Sequence, residues 1–222
     1  MSGLSVRADR QRGSALLEFQ IVAVFGALPL LLGTVQLFLL LLASHTVQFA
    51  TVQAARAGAV QGADPAAMRR AFAAGLIPLH AASYEELSSS NVVPRVATAW
   101  ARSSAEALVF AELEILSPDA AAFADFATPG PAGPAIRNDG LEGRPVTPGA
   151  RSGLSIQEAN LLRIRARWCE PLVVPFAGEA LVATLRRLDS DLFAQRCYAA
   201  GRVPLAGEAT MNMQSDARFY GG

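Results

Sequence analysis

The sequence predicts an α+β fold, in which a long N-terminal transmembrane helix is followed by a small antiparallel sheet with flanking helices. Three observations predict it. The run Ser14–Ala43 is apolar, and Glu18 is the only formally charged residue between Ser14 and Ala55. Three later segments, 109–116, 160–168 and 205–214, alternate apolar and polar residues with the period of a half-buried strand. Between them lie stretches with helix start signals or helical spacing.

The elements follow in chain order. Residues 1–13 are a basic leader, with Arg7, Arg10 and Arg12 preceding the apolar run. As a helix, residues 14–43 would reach roughly 45 Å, against roughly 30 Å for a hydrocarbon core. A secretory signal peptide has an apolar core of only about 7–15 residues, so this run reads as a span. The arginines before it, with none after it until Arg56, place the N-terminus in the cytoplasm and the rest of the chain outside. Residues 44–62 contain no proline and extend the helix. Ala50, Ala54, Gly58 and Gly62 recur four apart there. They are either a packing face or a product of an alanine-rich composition.

Residues 63–222 form the predicted extracytoplasmic α+β domain. Asp64-Pro65 reads as an N-cap followed by proline at the first helical position, giving a helix over 65–74 that ends near Gly75. A second helix is expected over Arg95–Glu106, and a strand over Val109–Leu116. Ser117-Pro118-Asp119 ends that strand and starts a short helix through Phe126. Residues 127–153 are rich in proline and glycine and read as a long exposed loop. In 160–168, Leu162, Ile164, Ala166 and Trp168 alternate with Arg163, Arg165 and Arg167. Glu179–Phe193 reads as one amphipathic helix with Leu181, Leu185, Leu188 and Leu192 in a stripe. In 205–214, Glu208 and Thr210 oppose Gly207 and Ala209. If the three strands pair, Glu112 and Glu114 share a face with the arginines, where opposite-charge pairs contribute roughly 0.2–1 kcal/mol each. The stripe is then a structural feature rather than a docking surface for a partner, the other reading.

Composition excludes some functions. The chain has 222 residues, zero net charge and a near-neutral pI, so no nucleic-acid footprint is visible. His45 lies where the chain leaves the apolar run and His80 follows Pro78-Leu79 in an apolar stretch, and no His-Glu-x-x-His or Cys-x-x-Cys occurs, so neither a metal nor a cofactor is expected. Gly149–Gly153 lacks the spacing of a nucleophile elbow. Asp189 and Asp191, flanking Ser190, read as a solvated helix face rather than a calcium site. No enzyme activity is expected. Cys169 and Cys197 fall on the outside; they form a disulfide or remain two buried thiols, and an oxidising compartment favours the bond.

The N-terminal residues carry the most functional content. A carboxylate costs roughly 2.5–3.5 kcal/mol or more at a bilayer centre. Were the chain cut after Gly13, Glu18 would be its fifth residue, beside a new α-amine. Glycine has no Cβ and admits a protease close to the backbone. Taken singly, Gly13 also fits a flexible linker and Glu18 an interfacial carboxylate. Together, the basic leader, Gly13, Glu18, Phe19 and the apolar run containing Pro29 resemble the type IV pilin superfamily, and within it the TadE-like pseudopilins of tight-adherence pilus systems. Ala54-Ala55-Arg56-Ala57-Gly58-Ala59 is similar to a segment that follows the membrane helix in that family. Ser155–Leu162 and Cys169-Glu170-Pro171-Leu172 look like its C-terminal pattern. Phe19 stands where the family often has tyrosine.

The resemblance implies cleavage between Gly13 and Ser14 by a prepilin peptidase. It implies assembly through Glu18 and Phe19 with other pilin-like subunits and a pilus assembly platform, in a bacterial inner membrane and in contact with its lipids. The alternative is a permanently anchored, unprocessed periplasmic protein that binds an envelope partner.

Overall fold

A computed structural model describes residues 11–80, 92–130 and 133–220, and the side chains of these except residues 11–15 and Val92. The chain is a mixture of helix and sheet, with a long apolar N-terminal helix followed by small antiparallel sheets and helices. It divides into two compact units, Met1–Leu41 with Pro171–Val203, and Leu42–Glu170 with Pro204–Gly222.

The N-terminal helix comprises α1 (Gln11–Val22), a π-helical turn (Ala23–Ala27) and α2 (Leu28–Val60). Pro29 explains the turn. Its ring presses on the carbonyl of Phe25, four residues back, and it has no N–H to donate. The wider π turn contains Phe25 and absorbs the clash. The helix ends at Val60, two residues before the predicted end, where Gly62 takes a φ of +68°.

In the larger unit the distal part of α2 lies in the core. Val47, Ala50, Ala54, Ala55 and Ala59 are buried with Met68 and Phe72 of α3 (Pro65–Gly75). The small residues predicted to form a ladder therefore pack inside this chain. A Cβ on Gly75 would stand 2.5 Å from the Ala50 Cα, so the two helices touch backbone to backbone. Asp64 caps α3 as expected, accepting from the N–H groups of Ala66 and Ala67 at 2.9 and 3.2 Å. After the short α4 (Ile77–His80) comes α5 (Val92–Phe110), which leads directly into strand β1 (Ala111–Ser117). Val109 and Phe110, predicted as strand, are helical. No breaker separates Glu106 from Phe110, so the helix continues until pairing begins at Ala111, opposite Trp168.

α6 (Ala120–Phe126) is capped by Asp119, whose side chain accepts from the Ala122 N–H. β2 (Ala127–Thr128), β3 (Ala135–Ile136) and β6 (Ala217–Arg218) make a second, minimal sheet in the order β2-β3-β6. The described part of the Pro/Gly-rich segment is largely exposed, as expected, but it is pinned at several points. Side chains outside its repetitive part tie it down. Asp125 accepts from the N–H groups of Arg151 and Ser152 and from the Ser152 hydroxyl, and Gln157 donates to the carbonyls of Leu141 and Arg144.

α7 (Ile156–Ala159) carries a capping box between Ser155 and Glu158 and leads into β4 (Leu161–Pro171). The main sheet has the order β1-β4-β5, with β5 covering Arg202–Asn212. β1 and β4 are antiparallel, with Glu112 opposite Arg167 and Glu114 opposite Arg165. One face of β4 is core, since Leu162, Ile164, Ala166 and Trp168 are all fully buried. Its other face carries the arginines, as the alternation predicts.

In the smaller unit, the predicted helix over 179–193 is two helices, α8 (Ala177–Leu188) and α9 (Leu192–Ala199). The break falls at 189–191 because Asp191 is itself an N-cap, accepting from the Ala194 N–H at 2.9 Å. The leucine stripe is broken with it, and Leu188 and Leu192 are exposed. Asp189 and Asp191 consequently lie in the joint between helices, not on a helix face.

Candidate functional site

The sequence points to the start of the N-terminal helix, and the structure places its residues as follows. Residues 1–10 of the leader lie outside the described residues. Gly13 and Ser14 are in the backbone of α1. Glu18 and Phe19 follow on the same helix, both exposed. The apolar surface around them is uncovered. From Leu16 to Val60 the helix is long and apolar enough to cross a membrane, and only 6% of its most apolar window is buried. Leu16, Leu17, Ile21, Phe25, Leu30 and Leu31 all face outward. A core helix of a water-soluble domain would bury that surface, so a single-pass membrane anchor accounts for it.

One residue of this region was not singled out from sequence. Gln36 is 2% exposed, and its side-chain oxygen accepts a 2.9 Å hydrogen bond from the Val174 N–H. An amide inside an apolar run is the available signal, because a buried polar side chain is normally paired. The pairing fixes the segment before α8 against the N-terminal helix within the smaller unit. Cys169 and Cys197 are disulfide-bonded, the outcome favoured by an oxidising compartment.

The arginine stripe is internally neutralised. Glu208 receives Arg163 at 2.8 Å and Arg165 at 2.7 Å, and Arg167 meets Glu112 at 3.0 Å. The hydrogen bond from Arg163, then that from Arg165, holds the Glu208 carboxyl below its usual range. This pairing supports the structural reading of the stripe. Asp125 is lowered likewise, chiefly by the Ser152 N–H. At the α8–α9 joint, Asp189 accepts from the Tyr198 hydroxyl at 3.1 Å. Burial first, then that bond, pushes the Tyr198 phenol up to about 12. Of the histidines, His45 is exposed and His80 stands edge-on to Trp168, ring centroids 6.3 Å apart. Among the described residues no group of three or more His, Cys, Asp or Glu side chains is placed to hold a metal ion.

Comparison with known proteins finds no match to this chain among family models, curated proteins or solved structures.

Proposed function

We propose that this chain is a minor pilin-like subunit, similar to the TadE-like pseudopilins, that takes part in assembling a tight-adherence type of pilus. A prepilin peptidase removes residues 1–13. The mature helix then packs laterally with other pilin-like subunits in the inner membrane, its C-terminal part outside. The observation that carries this reading is Glu18, the single carboxylate of a long exposed apolar helix, placed fifth after Gly13. An unpaired charge in hydrocarbon is expensive, whereas a carboxylate beside an α-amine offsets part of its desolvation. The exposed flank of the helix supports the reading too, since subunits that assemble through their helices must leave them uncovered by their own fold.

The role is that of a processed building block, and the chemistry at the N-terminus belongs to the peptidase. Intact-mass measurement of the membrane fraction from the native host tests it. The mature chain should begin at Ser14. Glu18→Ala should still be cut but fail to crosslink to partner pilins, and Gly13→Arg should block the cut. A wild-type chain that keeps Arg7 and Arg10 beside an active peptidase would instead establish the permanently anchored, unprocessed protein.

A further inference from the structure

The smaller unit exposes a second apolar surface beside the span. The segment Leu172-Val173-Val174-Pro175-Phe176, which precedes α8, is wholly apolar, unusual for a connection between elements. Val174 is tied to Gln36, yet Val173 is 73% and Phe176 78% exposed. Phe176 also holds a φ of +62°, a conformation bulky residues rarely adopt, and this sets its ring outward at the start of α8. Along α8, Ala177, Leu181, Leu185 and Leu188 share one side, while Glu179, Arg186 and Arg187 occupy the other. Between α8 and the N-terminal helix runs an apolar groove of about 860 Å³, with Val24, Phe25, Leu28 and Leu32 on one wall and Phe176 and Leu181 on the other.

Depth decides what meets this surface. With Glu18 at the cytoplasmic edge, Gln36 lies roughly 27 Å further along a helix that rises about 1.5 Å per residue. A hydrocarbon core of roughly 30 Å therefore ends close to Gln36, and the groove wall, which runs from Val24 on to Leu37, extends from about 9 Å to about 29 Å along it, through the middle of the core and the distal leaflet. Val24, Phe25 and Leu28 line the groove and also belong to the exposed apolar surface of the span, so the two surfaces are continuous.

We propose that the Val173–Phe176 turn and α8 form an interfacial membrane anchor, seated in the distal leaflet beside the span, with phospholipid acyl chains filling the groove. An amphipathic helix of this kind lies in the plane of the interface with its apolar side about 5–10 Å deep. Arg186 and Arg187, exposed in its last turn, then stand at headgroup level, where phospholipid phosphates accept from their guanidinium groups. The proposal rests on the membrane-anchor reading of the helix and is independent of processing at Gly13.

Full-length protein in phospholipid nanodiscs tests it, using lipids brominated in the acyl chain as short-range quenchers of tryptophan. Phe176→Trp, at an exposed position, should add emission that is blue-shifted and loses most of its intensity in brominated discs. Phe25→Trp reports on the span and should be quenched in the same discs. If Phe25→Trp is quenched but the emission added by Phe176→Trp is red-shifted and yields to aqueous acrylamide instead, the anchor stands and the interfacial proposal falls. If neither is quenched, the membrane reading itself fails. A photoreactive phenylalanine analogue at position 176 in native membranes distinguishes the occupants. Lipid adducts support the proposal, and adducts confined to another protein overturn it in favour of a helix-docking groove.

Discussion

Gly75→Ala is the most direct probe of how the larger unit is built. An ideal Cβ at Gly75 would lie 2.5 Å from the Ala50 Cα and 2.7 Å from its Cβ. Carbon atoms rest about 3.5–4.0 Å apart, so the two helices must separate by about 1 Å. The obstructing atoms belong to Ala50, which is fully buried in the middle of α2 and has no rotamer to change. Forcing a methyl group into such a contact costs about 1–3 kcal/mol. Alanine regains about 0.5–1 kcal/mol over glycine in a helix, which leaves a net loss of up to about 2.5 kcal/mol. Gly58 is the internal comparison. A Cβ there would meet the Met68 Sδ at 2.6 Å and the Leu162 Cδ2 at 2.7 Å, both side-chain atoms. Methionine adapts to altered space, so Gly58→Ala should cost less than Gly75→Ala. Denaturant unfolding of the full chain in detergent, followed by the fluorescence of buried Trp168 in a Trp100→Phe background, measures both. A Gly75→Ala protein more stable than wild type, or a reversed order of the two variants, would refute the backbone-contact argument.

Three further outcomes are expected. The Asp125 carboxyl is held below its ordinary value by the Ser152 and Arg151 groups, so its contribution is present above about pH 4 and is lost as pH falls through the lower folded value. Asp125→Asn should therefore be cut faster by trypsin after Arg151 at neutral pH and lose less stability than wild type on acidification, and equal acid losses would count against the clasp. Reduction of the Cys169–Cys197 bond should lower stability by about 3–4 kcal/mol in the chain-entropy model, while alkylation without reductant should label neither cysteine. The Tyr198 phenol, raised to about 12, should favour the folded state below the ordinary tyrosine value of about 10 and lose that contribution as pH rises toward 12. Asp189→Asn should bring its ultraviolet titration to lower pH, and an unchanged titration would exclude the hydrogen bond as a cause.

The sequence by itself determined the features governed by local spacing. The uncharged run marks the helix, because hydrocarbon tolerates so few charges. Asp64-Pro65 marks the start of α3, because a side-chain oxygen and a residue lacking an N–H satisfy a helix end together. The alternation of Leu162, Ile164, Ala166 and Trp168 with three arginines marks β4 and assigns its faces, because side chains in a strand alternate. What failed were the boundaries. Val109 and Phe110 suit a helix as well as a strand, and only pairing from Ala111 decides between them. The leucines of 181–192 are periodic, yet Asp191 caps a new helix and breaks their stripe. Tertiary structure alone decided the rest. Gly75 meets Ala50, Asp125 clasps Ser152, and Gln36 meets Val174, across separations in sequence that no local pattern encodes. The smallness of Gly75 and Ala50 is legible in the chain, but their mutual contact exists only once the chain has folded back on itself.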